Sequence, residues 1–284
     1  MQELKSVEKN WYQDWQNPEH GVRFDARAHL SARDLARNYE AYNDIRLLNE
    51  RIDGESSATL VEVGCATGEL YRYLRGRHPR LRYIGIDISE NAVLRAKEKY
   101  VQAAFCVGRP GETVIEILKR HGIFEKPDII YSKDVVHHQT DSYGFLNGLL
   151  DTPRSMAILR LRTRDVGASE LDPERSCQYH YDQWVPFIVL NLDEVIARVQ
   201  QRFAQCEIVV RRNYTVLGGE NGRFLPRECY LKETGTSQTT LGVFLKTDAP
   251  GRVTVEDRKD GRPRYTLGLR LKRLARETVR TFTD

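Results

Sequence analysis

The 284-residue sequence has no apolar run approaching the 18 or so residues that a membrane-spanning helix needs. Its opening, MQELKSVEKNWYQDW, is charged where a secretory signal would carry an apolar core, so the expected location is cytoplasmic. It has no CxxC pair. The five cysteines, Cys65, Cys106, Cys177, Cys206 and Cys229, stand apart and are odd in number, which argues against a zinc site or a disulfide framework. It lacks the Gly-Lys-Ser/Thr ending of a phosphate-binding loop and a complete G-x-G-x-x-G. It also lacks a strong charge imbalance. The formal net charge is +4, and residues 251–284 hold ten Lys/Arg against five Asp/Glu, so the surplus sits in that tail. The rest is nearly neutral, which gives no strong nucleic-acid signal.

What is present is a rhythm. ARDLARNYEAYNDIRLLNERI places Leu35, Tyr39, Tyr42, Ile45 and Leu48 on one helical face, behind an aromatic cluster of Trp11, Tyr12 and Trp15. From Ser57 onward, strand, turn and helix alternate. TLVEVG (59–64), RYIGID (82–87), AAFCVG (103–108), DIIYSK (128–133) and SMAILRLRT (155–163) read as strands. GELYRYLRGR, ENAVLRAKEKY after the N-cap Ser89, ETVIEILKRHG and NLDEVIARVQQRF read as helices, the last with a capping-box pattern at Asn191 and Glu194. CEIVVRRNYTVLG, ECYLKE and TTLGVFLKT close the series as strand-like pieces without an intervening helix. This predicts an open α/β fold with a mostly parallel sheet, helices on both faces and an antiparallel last strand. Ligands of such sheets bind beyond the carboxyl ends of the strands. The turns at 64–69, 87–91, 108–112, 132–141 and 162–190 therefore matter most.

The first of these turns, in VEVGCATGEL, has Gly64 and Gly68, which let a backbone approach a ligand closely. Carboxylates at Glu62 and Glu69 make it a poor phosphate cradle. Asp87 ends the second strand, where an acid can accept hydrogen bonds from both hydroxyls of a ribose.

VEVGCATGELYRYL, then YIGIDISENAVLRAKEKY, then DIIYSKDVVHHQTD, together resemble the class I S-adenosylmethionine-dependent methyltransferases of the small-molecule branch. The resemblance spans roughly residues 55–165 and implies a Rossmann-like sheet of seven strands. It implies cofactor contacts at Glu62, Gly64, Cys65, Ala66, Thr67, Gly68, Asp87 and Ile88, with Gly108 and Arg109 near the adenine and Ser132, Lys133 and Asp134 after the fourth strand. Ala66 replaces the family's middle glycine, and VGRPGE lacks the acid that many relatives place against the adenine. The implied cofactor is S-adenosylmethionine and the implied acceptor an oxygen of a small molecule or glycan.

A hydroxyl acceptor must lose a proton, and His137 and His138 stand at the fourth turn as candidate bases, against a packing role for the same pair. Residues 162–190 form an unusually long connection, expected to be a lid whose Arg162, Arg164, Tyr179, His180, Tyr181 and Trp184 bind substrate. A metal-assisted variant would use Asp134 and Asp165; the favoured reading has no metal. No proline–aromatic motif follows the fourth strand, which disfavours exocyclic amines as acceptors.

The expected domains are an N-terminal helical cap (1–52), the methyltransferase domain (53–248) and a basic appendage (249–284). In the appendage LGLRLKRLARETVR reads as a basic amphipathic helix, suited to packing on a domain or subunit of a homo-oligomer, or to peripheral membrane contact. Two other functions stay open at this point: an RNA-modifying methyltransferase and a non-catalytic binder of S-adenosylmethionine.

Overall fold

The computed structural model describes residues 7, 10–24, 30–52, 57–181, 183–214, 223–225 and 236–261. Cys229, the strand expected within ECYLKE and the basic helix at 267–280 lie outside the described residues.

A short 3-10 segment, Trp11–Gln16, precedes helices α1 (Pro18–Phe24), α2 (Ala32–Tyr39) and α3 (Asn43–Arg51). The single amphipathic helix expected over 32–52 is thus two. Tyr42 is extended at φ −92° and ψ 141°, which breaks the run and turns α3 onto the sheet. Asn43 then donates its backbone N–H to Asp260 Oδ1 (2.8 Å), and Asp44 lies fully buried. Leu35, Tyr39, Ile45, Leu47 and Leu48 fill the core beneath.

The alternating region follows as β1 (Thr59–Val63), α4 (Glu69–Arg77), β2 (Arg82–Asp87), α5 (Glu90–Lys99), β3 (Ala104–Val107), α6 (Val114–Arg120), β4 (Ile129–Lys133), α7 (Ser142–Asp151) and β5 (Met156–Arg164). Ser89 caps α5 by accepting from Ala92 N–H (3.4 Å), as its position predicts. Beyond β5 come β6 (Cys177–His180), β7 (Gln183–Pro186), β8 (Leu190–Asn191), α8 (Leu192–Arg202), β9 (Glu207–Tyr214), β10 (Arg223–Phe224), β11 (Ser237–Phe244) and β12 (Val253–Asp257).

The main sheet runs β3-β2-β1-β4-β5-β11-β9-β12, with the two-residue β8 beside the end of β5. Strand β11 is antiparallel to both neighbours, and the other pairs are parallel. Two apolar layers flank it. α2 to α5 bury their inner faces on one side, and α6, α7 and α8 on the other. The expected seven strands are present as the order β3 to β9. The two further strands are β8, a brief extension of β5's register, and β12, which pairs with β9 from Val253↔Ile208 to Asp257↔Arg212. A boundary at 248 would therefore cut through the sheet.

Asn191 accepts from Glu194 N–H (2.9 Å) at the start of α8. The Glu194 carboxylate, however, reaches Ser169 and Tyr143 instead of completing a capping box.

Candidate active site

The strand order changes direction between β1 and β4, and a crevice opens there at the carboxyl ends of the strands. It is a cavity of about 1000 Å³, lined from the β1, β2, β4 and β5 ends and from the N-terminal segment.

Its floor is the turn after β1. Gly64 and Cys65 both donate backbone N–H groups to Ile86 O, at 2.8 and 3.0 Å, which pins the elbow to β2. Gly64 is left-handed at φ +86°, and a Cβ there would overlap the Val135 side chain. Gly68, at φ +77°, opens α4, and a Cβ on it would lie 2.8 Å from the Phe105 ring. Ala66 is also left-handed (φ +45°), the conformation a glycine adopts without cost. What holds Ala66 there is Asp87, whose Oδ2 accepts from Ala66 N–H at 2.7 Å. Asp87 Oδ1 accepts from Ser89 N–H at 2.8 Å. Each carboxylate oxygen keeps a further lone pair. Burial pushes the Asp87 carboxyl up, and the backbone donors oppose it.

Thr67 is buried in the elbow, and its hydroxyl oxygen has no hydrogen-bond partner among the described residues. An orphaned hydroxyl, a bare backbone and a buried acid on one wall fit a nucleoside-bearing ligand such as S-adenosylmethionine. Glu62, also buried, accepts from the Tyr83 hydroxyl. Burial pushes its carboxyl up to about 8, so it is largely protonated at neutral pH.

The remaining expected cofactor residues divide. Ile88, Arg109, Lys133 and Asp134 line the cavity. Gly108 and Ser132 do not. Gly108 hands its N–H to Asp87 O (2.9 Å), and the Ser132 hydroxyl is spent on Val63 O (2.9 Å) between strands. Lys133 Nζ lies 3.6 Å from the Tyr42 ring centroid.

His137 and His138 form a 3-10 turn past β4, with ring centroids 4.1 Å apart. Both line the cavity. His138 Nδ1 is 2.8 Å from Pro186 O, an oxygen that can only accept, so Nδ1 carries the proton and Nε2 the basic lone pair. Burial lowers the His138 pKa to about 4. His137 is buried more deeply, with Nδ1 lacking a hydrogen-bond partner among the described residues, and burial holds its pKa well below the ordinary range. Both rings are therefore neutral at working pH.

Of the expected substrate residues, Arg162 and His180 reach the cavity, whereas Arg164, Tyr179, Tyr181 and Trp184 do not line it. Arg164 turns back to Ala168 O (3.2 Å), and Tyr179 and Trp184 pack edge-on at 5.4 Å on the outer hairpin. The hairpin β6–β7, joined by β10, forms a small second sheet. Asp134 and Asp165 do not converge. Asp134 sits 3.3 Å from Arg162 and 3.7 Å from Arg160, whereas Asp165 binds Arg212 and Tyr214 outside the cavity. Those arginines hold Asp134 down to about 2 against burial, which pushes it up, and would repel a cation. No group of three or more metal-ligating side chains occurs among the described residues.

The N-terminal segment also forms a wall of the site, a role not assigned to its aromatic cluster from the sequence. Gln16 ties that segment to the β2–α5 turn, donating to Ile88 O (2.5 Å) and accepting from Glu90 N–H (3.1 Å). Trp15 then packs against His20, His138 and His180 at 5.1, 5.0 and 4.9 Å. Asp14, buried, meets His180 Nδ1 at 2.6 Å. The spacing of Trp11 and Trp15, one helical turn apart beside Asp14, was the available signal.

Residues 61–152 match the family model of a methyltransferase domain. A malonyl-[acyl-carrier protein] O-methyltransferase of Acetivibrio thermocellus is 24% identical over 135 residues, covering 45% of this chain. The chain thus spans about half the length of that curated relative, 46% of it. A TehB-like S-adenosylmethionine-dependent methyltransferase from Corynebacterium glutamicum is similar in structure at 16% identity and a TM-score of 0.44, over 81% of this chain and 100% of that one. The magnesium protoporphyrin IX methyltransferase of Synechocystis is similar at 15% identity and a TM-score of 0.43, over 84% and 93%. The matched segment 61–152, which holds the glycine elbow and the acid ending β2, is thus a methyltransferase domain of Rossmann-like fold, similar to the S-adenosylmethionine-dependent methyltransferases.

Proposed function

We propose that this protein transfers the methyl group of S-adenosylmethionine to an oxygen of a small molecule, sugars included. The observation that carries the reading is a shared cavity. The elbow with Asp87, and the His138–Arg162 wall, open into the same space. In this reading the Gly64–Gly68 backbone and the Thr67 hydroxyl receive the amino-acid end of the cofactor. Asp87 receives the ribose through its remaining lone pairs, and Ile88 and Arg109 border the adenine. When bound, the cofactor supplies a methyl group already activated on a sulfonium, so alignment and exclusion of water are the protein's main contributions.

The wall of Trp11, Trp15 and His180 covers the acceptor side and suits a small molecule over a long polymer. His138 presents Nε2 as the proton acceptor for a hydroxyl. The choice of oxygen is supported by the curated relative, which is by name an O-methyltransferase.

The test incubates the protein with methyl-labelled S-adenosylmethionine and fractionated small-molecule extract. Label is expected in one low-mass fraction, in a product whose new methyl is on oxygen. Binding of S-adenosylhomocysteine without label transfer to any fraction would defeat the reading. His138→Gln is expected to slow transfer by about 10²–10⁴-fold, the range for a positioned base, with S-adenosylhomocysteine affinity unchanged. Because the imidazole pKa is lowered to about 4, the wild-type rate should show no acid limb from this group between pH 8 and 5. An unaltered rate in His138→Gln would remove the base assignment.

A further inference from the structure

Arg162 stands on β5 with 6% of its surface exposed, and it lines the cavity. Its Nη2 is 3.3 Å from Asp134 Oδ1. Its Nε and Nη1 are buried and have no hydrogen-bond partner among the described residues. Asp134 is not Arg162's alone, since Arg160 lies 3.7 Å from the same oxygen. Arg160 has two further acids, Asp44 at 3.0 Å and Asp260 at 2.9 Å. Among the described residues Arg162 pairs with no acid but the shared one, and a second guanidinium, Arg223, faces the same Phe187 ring, at 4.9 Å against 5.9 Å.

Burying a guanidinium with two idle donors and a shared counterion is unfavourable unless something else completes it. Guanidinium donors match carboxylate oxygens in geometry and charge. Burial, together with the neighbouring arginines Arg160 and Arg223, lowers the Arg162 pKa to about 10, as expected of an under-compensated cation. Within the same cavity Glu62 is largely protonated and adds little negative charge.

We propose that the methyl acceptor is a small carboxylate-bearing molecule whose carboxylate pairs with the Arg162 guanidinium through its idle Nη1 donor, at the β4–β5 end of the cavity. This rests on the methyl-transfer reading and names its substrate class. A carboxylate matches one incompletely paired guanidinium. Held there, the acceptor lies between the base wall of His138 and the elbow, with Trp15 and Phe187 as apolar sides for its body.

The test is calorimetric titration of the protein saturated with S-adenosylhomocysteine, using benzoate and its neutral isostere benzamide as probes. Benzoate should bind at least ten times more tightly than benzamide. The preference should shrink with added salt. Arg162→Gln should erase it while S-adenosylhomocysteine affinity stays the same. The wild-type preference is read without any variant, so misfolding of Arg162→Gln would not blunt the test. Equal binding of the two probes, or no binding of benzoate to cofactor-loaded protein, would overturn the carboxylate proposal and leave methyl transfer standing. Failure of S-adenosylhomocysteine itself to bind would overturn both.

Discussion

Gly64→Val should reduce S-adenosylhomocysteine affinity at least 100-fold, about 2.7 kcal/mol, and abolish methyl transfer. Two effects act together. The backbone at φ +86° is hostile to a β-branched residue, and a Cβ would overlap Val135, the residue that leads into the His137–His138 turn. The elbow would have to move away from Ile86 O, and with it the orphaned Thr67 hydroxyl and the Ala66 N–H that Asp87 holds. Gly122→Ala is the matched control. Gly122 is also left-handed, at φ +76°, but a Cβ on it meets nothing within 4 Å and it lies off the cavity. That variant should lose roughly 1–2 kcal/mol of stability through backbone conformation and retain its ligand affinity. Isothermal titration and thermal unfolding of both variants separate the steric effect from the conformational one. Equal losses of affinity in the two would refute it.

Asp44→Ala should cost about 3 kcal/mol of folding stability, the low end of the range for breaking a buried ion pair, because Arg160 keeps Asp260 and Asp134 while losing its most buried partner. Asp44 is fully buried, 3.0 Å from Arg160, and accepts from the Tyr131 hydroxyl at 2.5 Å. Burial pushes its carboxyl up, but Lys133, Arg160 and the Tyr131 hydrogen bond outweigh it and hold the pKa below the ordinary value. The sign follows. A depressed folded pKa contributes stability above the unfolded carboxylate pKa of about 3.9, and that contribution disappears as pH falls through the folded value. Urea unfolding at pH 7 should show the full loss in Asp44→Ala, and the variant should lack this part of the wild type's acid sensitivity. A loss under 1 kcal/mol would mean that α3 is anchored by apolar packing alone. The pair joins the N-terminal helices to β5 beside the cavity, so the cap and the sheet should unfold together.

The parallel part of the fold could be read because its strands are short apolar runs ended by turn residues, and its helices α4, α5, α6 and α8 follow at a 3.6-residue period. Helix α7 is not legible in the sequence because Gly144 and Gly148 depress helix propensity; packing of Leu146, Leu149 and Leu150 decides the matter instead. Strand β12, VTVED, is charged and half-exposed, an edge strand whose partner β9 lies far away in sequence. The break between α2 and α3 rests on long-range partners, Asp260 and Arg160, which no local window contains.

The site divides along the same line. Glu62, Gly64, Thr67 and Asp87 sit at strand ends, and a strand end fixes both place and direction. The expected substrate residues stand at the end of β5 and on the connection after it, where direction is set by distant contacts. Thus Arg162 turned inward while Arg164, two residues on along the same strand, is held by Ala168 at the loop beyond it. The contribution of Trp15 required a Gln16 contact to Ile88 across 72 positions.

The most direct test of the central claim is a crystal structure with S-adenosylhomocysteine bound. The account predicts the ribose hydroxyls within hydrogen-bond reach of both Asp87 carboxylate oxygens, and the amino-acid end along Gly64–Gly68 beside the Thr67 hydroxyl. Density for the ligand elsewhere, or a ribose turned away from Asp87 with the elbow bare, would contradict it.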